Sequence, residues 1–143
     1  MRKPDPVPAL VSALTAPGQA FALQPVTVDG VECLEYSAMP ANLGGYCALM
    51  RQHADRCFVV YRDQRYTFEE TWARSAALAT ALQQRFGVQP GDRVSIVSRN
   101  NPEWMMAFIA IVSIGAVAVP MNAWWTTEEL DYGITDSGSQ VVI

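Results

Sequence analysis

Across 143 residues the sequence has one lysine, Lys3, one histidine, His53, and three cysteines. No run of Lys or Arg occurs anywhere, so the basic stripe that a nucleic-acid partner requires is missing. The formal net charge of −4 also disfavours attachment to anionic membranes through charge. Three cysteines are too few, and odd in number, for a disulfide-stapled scaffold, which makes a reducing cytoplasm the default setting. The opening M-R-K-P-D-P-V-P has a positive start with no apolar stretch behind it and fails as a secretory signal. Charged residues make up 17% of the chain and hydrophobic ones 50%, a balance that excludes disorder and supports a real core.

What is present falls into a readable order. Residues 1–25 form a Pro- and Ala-rich arm, with Leu10, Val11 and Leu14 suited to one or two helical turns. In V-T-V-D-G-V-E-C-L-E-Y, Asp29-Gly30 between alternating apolar positions is a type I′ hairpin signal. Leu43, Tyr46, Cys47, Leu49 and Met50 recur at helical spacing between Ala41 and His53. A second hairpin, F-V-V-Y-R-D-Q-R-Y-T, is expected to turn near Asp63-Gln64. Thr67 and Glu70 then form a capping box, opening a helix with Phe68, Trp72, Ala76, Ala79, Leu82 and Phe86 along one face. Gly87 and Pro90 end it.

From there strands and helices alternate. Residues 92–98 read as a strand, and Asn101 caps a helix over about 102–114 whose first residue is Pro102. That helix is apolar nearly all round, so it should be buried. Ala116–Val119 is a short apolar strand ended by Pro120, and Thr126 caps a further helix through T-T-E-E, with Gly138 past its end. Q-V-V-I then opens another strand. The order β-α-β-α-β with continuous apolar strands predicts an α/β protein with a parallel sheet and right-handed crossovers. A last strand so short, with its outer cover missing, leads us to expect a piece of something larger.

The run from Tyr61 to Ile143 carries Y-T-F-E-E-T-W, G-V-Q-P-G-D-R-V-S-I, R-N-N-P-E-W, G-A-V-A-V-P-M-N-A-W-W and D-S-G in order. In these motifs and their spacing the chain resembles the N-terminal part of the adenylate-forming (AMP-binding) ligases, and N-A-W-W-T-T-E-E-L is most similar to bacterial fatty-acyl-CoA synthetases. The resemblance covers more than half the chain; the first sixty residues are less distinctive. It implies a two-step reaction in which a carboxylate attacks the α-phosphate of ATP and the CoA thiol then displaces AMP. It implies ATP, Mg²⁺ and CoA for the complete enzyme, with a carboxylic, fatty acid as substrate. It also implies residues 1–54 as an arm, hairpin and helix, and 55–143 as the first part of an AMP-binding domain truncated before its phosphate loop. Such a loop needs successive backbone amides and small hydroxyls ending in a lysine. The chain has no S-G-T-T-G-x-P-K-like stretch, its double glycine Gly44-Gly45 sits in a helical pattern, and Lys3 is far away. No catalytic, cofactor-binding or metal-binding residue is therefore assigned, and the chain alone should not adenylate.

Several stretches admit sharper readings. Y-G-I-T-D at 132–136 spells the family's adenine-binding signature with Asp for Glu. Read functionally, Tyr132 would stack on adenine while Thr135 and Asp136 served phosphate and metal. Its spacing from G-A-V-A-V-P-M-N instead fits the end of the helix capped by Thr126. Cys33, Cys47, His53 and Cys57 lack the paired spacing of a zinc site, so buried thiols on a helix face and a strand are expected, with His53 at a helix C-terminus. Arg99 lies where a parallel strand meets a helix N-terminus and could hold a phosphate with free amides there. The simpler reading has Asn101 capping and Arg99 facing solvent. Trp124 and Trp125 occupy the analogous loop after the next strand, where packing against the parent domain competes with contact to an acyl chain.

Two rival classes remain. One is a non-catalytic interaction module that pairs its free strand edge with another chain or a second copy. The other is a single membrane span over 104–121, eighteen residues without a charge flanked by tryptophans. Gly115, Pro120 and the capped start at Asn101-Pro102 count against the span, and membrane insertion is not expected.

Overall fold

The computed structural model describes residues 7–143, which divide into two compact units, one ending at Pro40 and the other Ala41–Ile143. The first holds helix α1 (Val7–Leu14) and an antiparallel hairpin of β1 (Leu23–Val28) and β2 (Val31–Tyr36). Asp29 and Gly30 make its turn at φ 50° and 82°, the two positive values a type I′ turn demands. Ala22 is the one buried residue among those described in this unit.

The second unit begins with a short helix α2 (Leu43–Ala48), capped by Asn42, that tightens into a 3₁₀ turn (Leu49–His53). The hairpin β3 (Cys57–Tyr61) and β4 (Gln64–Thr67) follows, with Tyr61 opposite Gln64. Its turn residues are therefore Arg62 and Asp63, one position earlier than expected, and Arg62 takes the strained φ of 55°. Helix α3 (Phe68–Phe86) starts at a complete capping box, with Thr67 N donating to Glu70 Oε2 at 2.8 Å and Glu70 N to Thr67 Oγ1 at 3.1 Å. Gly87 closes it at φ 69°.

Strand β5 (Arg93–Ile96), helix α4 (Pro102–Ser113), strand β6 (Val117–Pro120), helix α5 (Thr127–Ser137) and strand β7 (Val141–Val142) complete the alternation. The three strands form a parallel sheet in the order β6-β5-β7, as the pattern of the sequence predicts. Central β5 is the buried strand. Val94 and Ile96 face Leu82 of α3 and Ala107 and Ile111 of α4, and this cluster is the core. Full burial of each large aliphatic side chain there contributes roughly 1.5–3 kcal/mol. Ser95 points to the opposite face and is also fully buried; its hydroxyl donates to Ser139 Oγ at 2.7 Å, which meets Ser137 Oγ at 2.8 Å. Satisfied in this way, a polar group in mid-sheet costs little.

One expectation about α3 is corrected, and the disfavoured membrane reading fails. The buried stripe of α3 is Thr71, Ser75, Ala79 and Leu82, while Ala76 and Phe86 are exposed. Small side chains fill most of this stripe, and the hydroxyls of Thr71 and Ser75 donate to the carbonyls of Thr67 and Thr71, both at 2.8 Å. The uncharged run 104–121 is not a span. It divides at Gly115 (φ 76°) into α4 and β6, and α4 extends only about 18 Å against a hydrocarbon core of ~30 Å. Among the described residues no helix is long and apolar enough to cross a membrane.

Candidate functional site

Ile96 and Pro120 pair across the ladder, so the loops after β5 and β6 leave the sheet side by side. One leads to α4 on the Val94–Ile96 face, and the other to α5, whose end meets Ser95 on the opposite face. Neighbouring strands whose connections diverge in this way open a crevice at their carboxyl ends, the place where open α/β sheets take ligands.

Each loop is held by an asparagine. Asn101 Oδ1 accepts from Trp104 N at 3.0 Å and from Ser98 Oγ at 3.3 Å. Asn122 Oδ1 accepts from Trp124 N at 3.0 Å, and the Asn122 carbonyl from Trp125 N at 3.1 Å. The second turn lifts the Trp124 side chain out of the fold, leaving it 73% exposed. Arg99 comes across from the first loop and places its Cζ 4.1 Å from the Trp124 ring centroid. Ser98, Arg99, Asn100, Met121, Asn122 and Trp124 are among the residues around a crevice of about 520 Å³. Beneath it α5 packs close to the second loop, because a Cβ on Gly133 would lie 3.0 Å from Trp125 Cζ3 and 3.5 Å from Met121 Cε.

Arg99 is exposed and Asn101 caps, as the simpler reading of the sequence has it, but the guanidinium lies on an indole rather than free in solvent. The amide of Trp104 is taken by Asn101, and Pro102 has none to give, which leaves little of the free-amide site that a phosphate would need. Residues 132–136 lie inside α5, with Tyr132 70% exposed on its surface.

The thiols are not buried as expected. Cys33 on β2 and Cys57 at the start of β3 are exposed, and Cys47 of α2 is half-buried, with burial raising its pKa. Alternating strand positions on lightly covered hairpins leave them in solvent. His53 ends the 3₁₀ turn, as expected at a helix terminus, with its ring 4.7 Å from that of Phe68. Among the described residues no three of His, Cys, Asp or Glu gather as metal ligands.

A second cavity of about 570 Å³, lined by Cys47, Met50, Phe58, Phe68, Trp104 and Phe108 among others, was not anticipated from the sequence. Its walls are mostly aromatic and aliphatic, with no Arg, Lys, Asp or Glu on them, and Tyr46, Cys47, Gln52 and His53 are its polar members. Trp104 and Phe108 lie one helical turn apart on α4, and their rings stack at 5.8 Å. The long-range partners Phe58 and Phe68 had no such signal.

The double glycine does not supply a backbone cradle for the phosphates of ATP. Gly44, half of the one double glycine, is there for packing: a Cβ would stand 3.1 Å from Ser113 Cα and 3.1 Å from the Val112 carbonyl oxygen. No amide cradle is built at that position, and Lys3 lies outside the described residues.

Fold and crevice together define an open parallel α/β unit. A family model described as AMP-binding enzyme matches residues 48–143, two thirds of the chain, and the protein belongs to that family. The chain is 37% identical over 89 residues to 4-hydroxybutyrate–CoA ligase 2 of Metallosphaera sedula, covering 62% of this chain and 16% of that protein. It is 32% identical over 110 residues to a long-chain-fatty-acid–CoA ligase of Haemophilus influenzae, covering 77% and 20%. Among solved structures it is similar to O-succinylbenzoate coenzyme A synthetase of Bacillus subtilis in complex with AMP. That match has 31% identity and a TM-score of 0.64, over 68% of this chain and 26% of the other. The chain thus spans 16% to 20% of the length of these two curated relatives.

Proposed function

We propose that this chain is the N-terminal segment of an ATP-dependent acid–CoA ligase acting on a carboxylic, fatty acid. The observation that carries the reading is the agreement of two comparisons. Residues 48–143 fit the family model, and the curated relatives similar to this chain include CoA ligases of aliphatic acids. ATP, Mg²⁺ and CoA belong to the complete enzyme, and the rest of the parent polypeptide is the partner that this segment packs against. The segment contributes framework and a crevice but no adenylating group. A cytoplasmic setting suits three cysteines that are all unpaired.

The reading frame beyond the codon for Ile143 tests this. A Gly/Ser/Thr-rich loop ending in Lys, followed by a distant second lysine, is the expected result. A stop codon directly after Ile143 would contradict the ligase reading and favour an interaction module. As a second test, the 143-residue chain should give no ATP–pyrophosphate exchange above background with fatty acids, and clear turnover would overturn its non-catalytic role.

A further inference from the structure

The crevice contains one charged group whose hydrogen-bonding capacity is uncommitted. Its two asparagines spend their side-chain oxygens on the loops themselves, on Trp104 N and Trp124 N. Arg99 differs. Its Cζ lies over the Trp124 ring, 4.1 Å from the centroid, and among the described residues no carboxylate comes within ion-pair distance of it. A guanidinium stacked by its face keeps its N–H edges outward, in the planar fork that matches a carboxylate or a phosphate pairwise. Stacking also holds a long side chain that would otherwise lose rotamer freedom on binding. Beside this fork stand Pro120, Met121 and the exposed Trp124 indole, in a crevice whose volume of about 520 Å³ suits a small ligand.

We propose that Arg99 and Trp124 form an oxyanion subsite, in which the guanidinium edge takes a carboxylate or phosphate and the indole and the Met121 wall take the apolar or planar body attached to it. An isolated surface cation–π pair contributes only about 0.5–1 kcal/mol, and that alone does not account for its placement. Here the pair joins two loops across the carboxyl end of the sheet, at the divergence of their connections, rather than any exposed flank. The ligand is an organic acid or a phosphoryl compound, two sources of one oxyanion chemistry. The inference concerns binding by this chain and does not depend on ligase activity in any longer protein.

The test uses the 143-residue chain labelled with ¹⁵N, titrated separately with hexanoate, benzoate, AMP and inorganic phosphate, with neutral benzamide as control. The Arg99 Nε–H and Trp124 Nε1–H signals should shift together with at least one oxyanion. Response to hexanoate and benzoate alone identifies an acid subsite, and response to AMP and phosphate alone a phosphoryl one. Arg99→Gln, at an exposed position, should keep the fold and weaken binding by about tenfold, the loss of a charged hydrogen bond. Arg99→Lys, which keeps the charge without the fork, should recover only part of it. Absence of any shift, equal binding of benzamide, or unchanged affinity in Arg99→Gln would overturn the proposal.

Discussion

Gly44 of α2 lies against the end of α4 so closely that a side-chain carbon there would stand 3.1 Å from Ser113 Cα. The Val112 carbonyl oxygen is equally near, and both neighbours are backbone that cannot swing aside. Gly→Ala in a helix ordinarily gains up to ~1 kcal/mol. Overpacking costs about 1–3 kcal/mol, so Gly44→Ala should be net destabilising by roughly 1 kcal/mol. Chemical denaturation of both proteins checks this, and a raised midpoint in the variant would show that α2 is free to move away.

The buried stripe of α3 gives a second prediction. Ser75 is buried at 2% exposure with its hydroxyl already satisfied by the Thr71 carbonyl. Ser75→Ala should therefore change stability little, within about 1 kcal/mol. Ser75→Leu, the better residue by hydrophobicity, should destabilise by about 1–3 kcal/mol because there is no room for it. A Leu variant as stable as the parent would contradict close packing around Ser75.

This stripe also marks where sequence reasoning stops. The ends of α3 and α5 were legible because capping boxes and left-handed glycines act within a few residues, and the turn at Asp29-Gly30 for the same reason. Alternation of strand and helix gave the parallel order. The buried face of α3 was not legible, since hydrophobicity favours Trp72 and Phe86 while the fold buries Thr71 and Ser75. Arg62 in the second hairpin turn likewise runs against residue preference. The Arg99–Trp124 pair joins residues twenty-five positions apart, and only the adjacency of β5 and β6 brings them together.

Glu70 links α3 to pH. The hydrogen bond from the Thr67 amide and then that with the Thr67 side chain hold its carboxyl below the usual glutamate value; desolvation opposes them, and Arg74 adds the smallest lowering effect. A lowered folded-state pKa means stability that is fully present above the unfolded value and lost as pH falls through the folded one. Glu70→Gln preserves a capping-box acceptor without a titrating group. The wild-type chain should lose its advantage over this variant as melts are taken at pH values below the ordinary carboxylate range. A difference that does not depend on pH would contradict the box.

The three thiols should react in a set order. Cys33 and Cys57 are exposed, whereas burial raises the pKa of Cys47 and lowers its thiolate fraction. With a maleimide at neutral pH, mass spectrometry of digested samples should find Cys33 and Cys57 labelled before Cys47. Early labelling of Cys47 would show that α2 opens readily.

The account as a whole holds that this chain is a structural part of an acid–CoA ligase and supplies no adenylating group itself. A chimera measures that directly: the Haemophilus influenzae long-chain-fatty-acid–CoA ligase with its matching segment replaced by the one from this chain, assayed for acyl-CoA formation beside the parent. Retained thioester synthesis by the folded chimera is the result the account expects. A chimera that melts cooperatively, binds ATP and still makes no acyl-CoA would contradict it.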